Sequence, residues 1–221
     1  MPRPSRNLDR ALVAAGRALY PSNGAAGLTI RQVSDAAGVN IGMFHYHFKT
    51  REAFLRAVLQ ANYEEMFAQL PLPAAKAPQD VSQKELLRAA LTALGHWALE
   101  NRAFVARLLV DAMAGDTVVR QFFAANFPRH LEVVGRVIAA GQATGELRPM
   151  PVPQAIAFCA GAISLPLLVL GVVVGTGELP KARRRALESA VLSKAAVDQR
   201  IELVLAALSN PEAATRKKAR P

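Results

Sequence analysis

The strongest constraint on this chain is a pair of very short helical segments separated by a turn. They lie in TIRQVSDAAGVNIGMFHYHF, residues 29–48. Thr29 and Gln32 have the spacing of a capping box, and Gly38 can adopt the positive φ that ends a helix. Asn40 is a favourable N-cap for a second segment that ends at Phe48. The pattern predicts a helix-turn-helix.

The two faces of this motif differ in chemistry. Ala37 provides a small residue where the helices cross, and the apolar residues of the inner faces are Ile30, Val33, Val39, Phe44 and Phe48. The outward set on the second segment is Asn40, Ile41, Gly42, Met43, His45, Tyr46 and His47. Such a mixed set can contact bases, thymine methyl groups and phosphates, and the second helix of this motif enters the major groove. Taken together, these features predict binding to double-stranded DNA.

Helical periodicity continues through most of the chain, and no segment alternates like a strand. Leu8, Leu12, Ala15 and Leu19 share one face of a first helix that is expected to end at Pro21 and Gly24. A fourth helix is expected after Thr50. The residues expected on its buried side are Ala53, Phe54, Ala57, Val58 and Ala61. Prolines 71, 73 and 78 predict a break, and Ser82 with Glu85 suggests a second capping box. Further helices are predicted over 103–114, 117–144, 153–174 and 181–208, so the fold class is all-α.

At this point the sequence resembles a known family. GLTIRQVSDAAGVNIGMFHYHFKTREAFLRAVL, residues 27–59, resembles the DNA-binding region of TetR/AcrR-type transcriptional regulators, and GELRP at 145–149 resembles a turn of the same family. The resemblance implies an all-α homodimer that binds a palindromic DNA operator. It also implies release by a small-molecule effector held in the C-terminal domain, and most members are repressors.

The resemblance assigns roles to individual residues. Thr29 becomes a cap and phosphate contact, Arg31 reaches a base or phosphate, and Arg51 takes the place of the family's phosphate-binding lysine. Ile41, Gly42 and Met43 fall at base-reading positions, and His45 replaces a common tyrosine. The complete predicted DNA-binding set is Thr29, Arg31, Asn40, Ile41, Gly42, Met43, His45, Tyr46, His47, Lys49 and Arg51. Taken singly, Arg31 and Arg51 are equally compatible with solvated surface charges.

Charge and domain organisation agree with this interpretation. The 221-residue chain has a formal net charge of +10, and residues 1–60 hold eight Lys/Arg against three acidic residues. A basic protein favours a polyanionic partner. We predict a three-helix DNA-binding domain over 1–62, a helical ligand-binding and dimerisation domain over 63–210, and a basic disordered tail over 211–221.

An effector cavity is a weaker prediction. Aromatic residues, one methionine and one histidine in the second domain could line an apolar pocket with a few polar groups. The set is Trp97, Phe104, Met113, Phe123, Phe127, His130 and Phe158. Residues at helical spacing more often fill an ordinary core, so both interpretations stay open.

Residues 149–177 contain no Asp, Glu, Lys or Arg. A stretch of this length could cross a bilayer, which gives the alternative of a membrane-anchored helical protein. In a dimer, the same stretch is explained by burial against its own subunit and against the second copy. Because the N-terminus lacks a signal-like apolar run, we expect a cytoplasmic protein without a membrane partner.

Residue types that commonly serve in catalysis or metal binding do not form a recognisable motif in this sequence. Cys159 is the single cysteine, the four histidines are scattered, and no Gly-rich phosphate loop or nucleophile elbow occurs. We therefore expect neither an enzyme nor a bound metal or cofactor. The apolar sequence around Cys159 predicts a buried, inert thiol.

Overall fold

A computed structural model describes residues 7–70 and 81–211 of the chain. In these ranges the secondary structure is helical, apart from an isolated antiparallel bridge between Leu147 and Ser209. The helices are α1 (Asn7–Gly27), α2 (Ile30–Ala37), α3 (Ile41–Phe48), α4 (Arg51–Ala68), α5 (Gln83–Glu100), α6 (Arg102–Met113), α7 (Thr117–Ala143), α8 (Val152–Gly175), α9 (Lys181–Ala190) and α10 (Lys194–Leu208). The all-α prediction is confirmed. The predicted break at 71–78 and all but the first residue of the predicted tail lie outside the described residues.

The chain forms two compact units. The N-terminal unit comprises Met1–Phe67 and Ala103–Phe127, and the C-terminal unit comprises Ala68–Arg102 and Pro128–Pro221. A single boundary after residue 62 therefore does not describe the packing, because α6 and the first part of α7 return to the unit that holds the motif. The division of DNA binding and ligand binding between 1–62 and 63–210 stays a prediction.

The N-terminal unit has a continuous apolar core. Its fully buried members include Leu12 of α1, Val33 of α2, Phe44 of α3 and Val58 of α4, and Val119 of α7 lies in the same cluster. Each helix of the motif thus buries one apolar face, and α6 and α7 complete the enclosure. One expectation for α4 is wrong: Ala53 is exposed, because the buried face begins at the next residue.

The first helix does not end at Pro21, which lies inside α1. The break in helical geometry comes at Gly24, with φ 66° and ψ −174°. Glycine adopts this backbone region readily, and other residues almost never do. The chain leaves Gly24 toward the capping residue of α2, so this glycine directs the entry into the motif.

In the C-terminal unit, α5 and α10 pack in antiparallel directions. Two ion pairs join them, Arg88 to Glu202 and Glu100 to Lys194, both at 2.7 Å, and His96 is hydrogen-bonded to Asp198 at 2.7 Å. Gly95 allows close packing between these helices, since a Cβ there would lie 2.8 Å from a methyl group of Val197. Small and charged residues therefore set the register of the two helices.

The predicted capping box at the start of α5 is wrong. Ser82 makes no side-chain cap, and the Glu146 carboxylate accepts hydrogen bonds from the amides of Gln83 and Lys84, both at 3.2 Å. The Ser82 hydroxyl also donates to Glu146. Burial opposes ionisation, but the hydrogen bonds from Ser82, Lys84, Gln83 and Thr144 together lower the pKa of Glu146.

The last two predicted helices differ in outcome. The predicted helix over 153–174 corresponds to α8, whereas that over 181–208 is divided into α9 and α10. The hydroxyl of Ser193 caps α10 by accepting from the amide of Ala196 at 3.2 Å. By length and composition alone, helix α8 could cross a membrane: its mean hydropathy is 2.5, and 17% of its most apolar 18-residue stretch is buried.

Candidate nucleic-acid interface

The ends of the two helices in the motif are set by their capping residues. The Thr29 hydroxyl accepts from the amide of Gln32 at 3.3 Å, and the Gln32 side chain accepts in turn from the amide of Thr29. Gly38 has φ 63° and ψ 32°, the left-handed conformation that ends α2. Asn40 caps α3 by accepting from the amide of Gly42 at 2.7 Å. The two helices and the turn are thus confirmed.

An aromatic cluster supports α3 from inside. Phe44 is fully buried and lies 5.0 Å from Phe54 and 5.7 Å from Phe48 between ring centroids. Phe48 and Phe54 are also in contact, at 5.0 Å. Because these rings come from both α3 and α4, the cluster fixes α3 on the helix that follows it.

Most of the predicted DNA-contacting residues lie on the surface. Tyr46 is 63% exposed and Ile41 is 40% exposed, and both are large side chains that a folded domain would ordinarily bury in part. The exposed members of the predicted set are Thr29, Arg31, Asn40, Ile41, Gly42, His45, Tyr46 and Lys49. Together they combine hydrogen-bonding, apolar and cationic groups on and beside α3.

Two members of α3 are less available than predicted. Met43 is half-buried, because its side chain packs against the apolar core. His47 is also half-buried, and its Nε2 is buried with no hydrogen-bond partner among the described residues. The exposed surface of α3 is therefore formed by Ile41, Gly42, His45 and Tyr46.

Arg51 has an intramolecular partner that the sequence does not reveal. Its Nη1 donates to the carbonyl of Ala25, and its Nη2 lies 3.6 Å from a carboxylate oxygen of Glu52. The side chain is half-buried. Arg51 thus ties the start of α4 to the segment that leads into α2, and contact with phosphate stays a prediction.

The connection between α3 and α4 is unusually tight. Lys49 has φ 60° and ψ −50°, and the amide of Thr50 donates to the carbonyl of Phe48 at 2.6 Å. This is a γ-turn of the strained kind, with Lys49 at its centre. The turn presents the lysine at the surface directly after α3.

A buried polar cluster beneath the motif was missed by the sequence analysis. Asp111 of α6 is 5% exposed and accepts from the Tyr20 hydroxyl at 2.8 Å and from the Ala25 amide at 2.7 Å. Arg107 holds the other carboxylate oxygen. Burial, and then the bond to Asp111, raises the pKa of Tyr20. The available signal was an aspartate in register with Phe104 and Leu108 on the apolar face of α6.

The predicted pocket residues do not belong to one unit. Phe104, Met113, Phe123 and Phe127 lie in the N-terminal unit, whereas Trp97, His130 and Phe158 lie in the C-terminal unit. Phe104 is a core residue that packs 4.7 Å from the ring of Tyr20, and Met113 is 84% exposed. Phe104 therefore fills the core of its unit, and Met113 lies on the surface, so we do not assign either side chain to a pocket.

Burial also perturbs two titratable groups of the C-terminal unit, His130 and Cys159. Burial lowers the pKa of His130 to about 4 and raises the pKa of the Cys159 thiol to about 11. The predicted burial of Cys159 is confirmed at 3% exposure. Among the residues that the structure describes, no group of three or more His, Cys, Asp or Glu side chains could hold a metal ion.

Comparisons with known proteins agree with this geometry. Residues 12–58 match the family model for bacterial regulatory proteins of the tetR family. A curated relative, the "Probable HTH-type transcriptional regulator YttP" of Bacillus subtilis (strain 168), is 20% identical over 151 residues, covering 68% of this chain and 72% of the relative.

Solved structures share the fold over nearly the whole chain. A bacterial regulatory protein in the tetR family from Rhodococcus RHA1 is 20% identical with a TM-score of 0.62, covering 93% of this chain and 99% of the other. HlyIIR, a hemolysin II transcriptional regulator, is 14% identical with a TM-score of 0.58, covering 92% and 97%. The matched residues include the whole motif from Thr29 to Phe48. Over residues 12–58 the chain is thus similar to bacterial regulatory proteins of the tetR family, and over most of its length it shares the fold of these solved structures.

Proposed function

We propose that the protein is a cytoplasmic, homodimeric repressor that binds a palindromic operator and is released by an apolar small molecule. The observation that carries the proposal is the exposed face of α3, held by the aromatic cluster behind it. Ile41 and Tyr46 project large apolar surface outward, and the Gly42 position lets the helix backbone approach the base edges closely. Apolar contacts of this kind favour thymine methyl groups.

Arg31 provides the test of this surface, because it is exposed and lies on α2. The unaltered protein first selects duplexes from a random-sequence pool, and one labelled selected duplex then serves as the probe. We expect Arg31→Gln to weaken binding several-fold and to reduce the salt slope by about 1. Arg148→Gln removes the same charge from an exposed position of the C-terminal unit and serves as the matched control. Equal losses in both variants would argue against a contact from Arg31.

The homodimer proposal is supported by a stripe of apolar residues on α8. Phe158, Leu165, Val169 and Val172 recur at helical spacing, and they are 44%, 56%, 52% and 53% exposed. The opposite face, with Ala155, Cys159, Ile163 and Leu167, is buried within the unit. A second copy of the chain would cover the exposed stripe, as homodimer interfaces are enriched in apolar surface.

Val169→Glu tests this interface. We expect the substitution to give monomers, since it would place an unpaired carboxylate in the apolar contact. Val110→Glu is the control, because Val110 has nearly the same exposure, 53%, and lies on α6. Light scattering reports the mass of each variant. A monomeric unaltered protein would contradict the proposal, and an unaltered protein that pellets with membranes and needs detergent would support the anchor alternative for α8.

Trp97 supports a small-molecule effector in the C-terminal unit. Its side chain is 7% exposed, and its Nε1 has no hydrogen-bond partner among the described residues. A buried donor of this kind is costly unless an acceptor satisfies it, so an apolar effector with one hydrogen-bond acceptor would suit the position. Because Trp97 is the single tryptophan, its fluorescence reports binding directly. An effector that releases DNA without changing this fluorescence would argue against the position.

A further inference from the structure

The buried carboxylate of Asp111 is bonded through both of its oxygens. One oxygen accepts from the Tyr20 hydroxyl and the Ala25 amide, at 2.8 and 2.7 Å. The other accepts a hydrogen bond from Nε of Arg107 at 3.0 Å, and Nη2 of the same guanidinium lies 2.9 Å from it in an ion pair. A buried carboxylate with this number of donors is held in one orientation, because each displaced donor would lose a charge-assisted hydrogen bond.

Gly24 brings the backbone against this cluster. A Cβ at this position would lie 2.0 Å from Nη2 and 2.1 Å from Nε of Arg107, so the guanidinium group packs directly on the glycine. The amide of the next residue, Ala25, then points at Asp111. The backbone of this entry segment is therefore fixed by α6, although 86 residues separate Ala25 from Asp111.

The same residue, Ala25, also contacts the far end of the motif. Its carbonyl accepts a hydrogen bond from Arg51 at the start of α4. Ala25 thus joins three elements: the segment that enters α2, the helix that follows α3, and α6. A displacement of Ala25 changes the position of Arg51 as well as the direction in which the chain enters the motif.

We propose that Asp111 is a positioning residue for DNA binding, which holds the Arg51 guanidinium in place through Ala25. The inference rests on the proposed function and deepens it, because it assigns the geometry of a phosphate-contacting group to a side chain outside the motif. Arg51 can donate to the Ala25 carbonyl with one nitrogen and keep its remaining donors for a phosphate oxygen. Asp111 has no contact with DNA in this arrangement.

The test is a double-mutant cycle in the full-length chain, with a labelled duplex selected by the unaltered protein as the probe. Asp111→Asn replaces one acceptor oxygen by a donor and releases either Arg107 or the Ala25 amide. We expect this variant to lose about five- to tenfold in affinity, a size typical of coupled neighbours. In an Arg51→Ala background, the same substitution should cause almost no further loss. Losses that multiply instead would overturn the proposal.

Two controls separate positioning from stability. Tyr20→Phe removes one hydrogen bond to Asp111 but leaves the hydrogen bond from the Ala25 amide. It should therefore lower the melting temperature without changing the DNA affinity measured well below that temperature. Asp116→Asn alters another carboxylate of the unit, which accepts from the amide of Val119 at 3.0 Å, and should leave affinity unchanged. If all three variants lose affinity in proportion to their loss of stability, Asp111 is merely structural and the proposal is wrong.

A variant that does not fold calls for a second substitution at the same position. Asp111→Glu keeps the carboxylate and its charge but lengthens the side chain, and it should shift Ala25 while keeping Arg107 paired. The expected pattern is the same: loss of affinity with Arg51 present, and no loss in Arg51→Ala. Full affinity in Asp111→Glu would overturn the proposal. A protein that selects no duplex at low salt would instead overturn the proposed function itself.

Discussion

Gly24→Ala is the substitution whose cost can be worked out most directly. The backbone at Gly24, φ 66° and ψ −174°, belongs to a region that costs a non-glycine residue roughly 1–3 kcal/mol. The new Cβ would also lie 2.0–2.2 Å from three atoms of Arg107. Arg107 must then move and weaken its pairing with Asp111, which adds about 1 kcal/mol because its side chain is 32% exposed. We expect a total loss of about 3 kcal/mol.

The assay is urea unfolding followed by circular dichroism, with Gly38→Ala as the matched control. Gly38 also has a positive φ, 63°, but a Cβ there would meet nothing within 4 Å. The control should therefore lose only the backbone part, about 1 kcal/mol. The difference between the two variants therefore contains both the contact of Gly24 with Arg107 and the larger backbone cost at Gly24.

A second cycle isolates that contact. In an Arg107→Ala background, the neighbouring guanidinium is gone, and Gly24→Ala should cost only its backbone part, roughly 1–3 kcal/mol. If Gly24→Ala costs no more than Gly38→Ala, or costs the same with and without Arg107, the packing argument is refuted.

Three further substitutions test other features. Lys49→Gly should stabilise the protein by about 1 kcal/mol, because it relieves the strained γ-turn; an unchanged urea midpoint would contradict this. Burial lowers the pKa of His130 from 6.5 to about 4, so the unfolded state binds a proton at higher pH than the folded state does. The free energy of unfolding should therefore decrease as the pH is lowered from 6.5 to 4, and urea unfolding from pH 7 to 4 should show a smaller decrease in His130→Gln. Glu146→Gln should cost about 1 kcal/mol at pH 7 through the weakened cap of α5. Because the folded pKa of Glu146 is lowered, that difference should vanish as the pH falls through it, and a pH-independent difference would exclude a charged cap.

The features predicted from the sequence are those whose physical cause is local. Thr29 and Gln32 are three residues apart, and Gly38 and Asn40 act on their own helix ends, so the motif could be placed residue by residue. Apolar periodicity likewise predicted that Phe44 faces the core, although it did not predict the partial burial of Met43 and His47. The break between α9 and α10 is also local, but apolar and helix-forming residues continue on both sides of Ser193, which conceals its capping role.

The features that were missed depend on residues distant in sequence. The cap of α5 comes from Glu146, more than 60 residues away, and capping-box spacing at Ser82 cannot compete with a carboxylate supplied by another helix. Arg51 shows a related difficulty. A guanidinium group can donate to a phosphate oxygen or to a backbone carbonyl, and the sequence contains no sign that Ala25 lies within reach.

The return of α6 and the first part of α7 into the N-terminal unit has a consequence for regulation. Helices of eight residues, such as α2 and α3, gain their stability from packing, so the motif depends on whatever holds its neighbours. The segment Ala103–Phe127 supplies Asp111 to that packing, and the chain continues from both of its ends into the C-terminal unit. A change in the C-terminal unit therefore has two covalent routes to the segment that carries Asp111. The proposed effector would alter DNA affinity in this way only by favouring a second position of that segment over the one in this structure, since equal binding to both would shift no equilibrium.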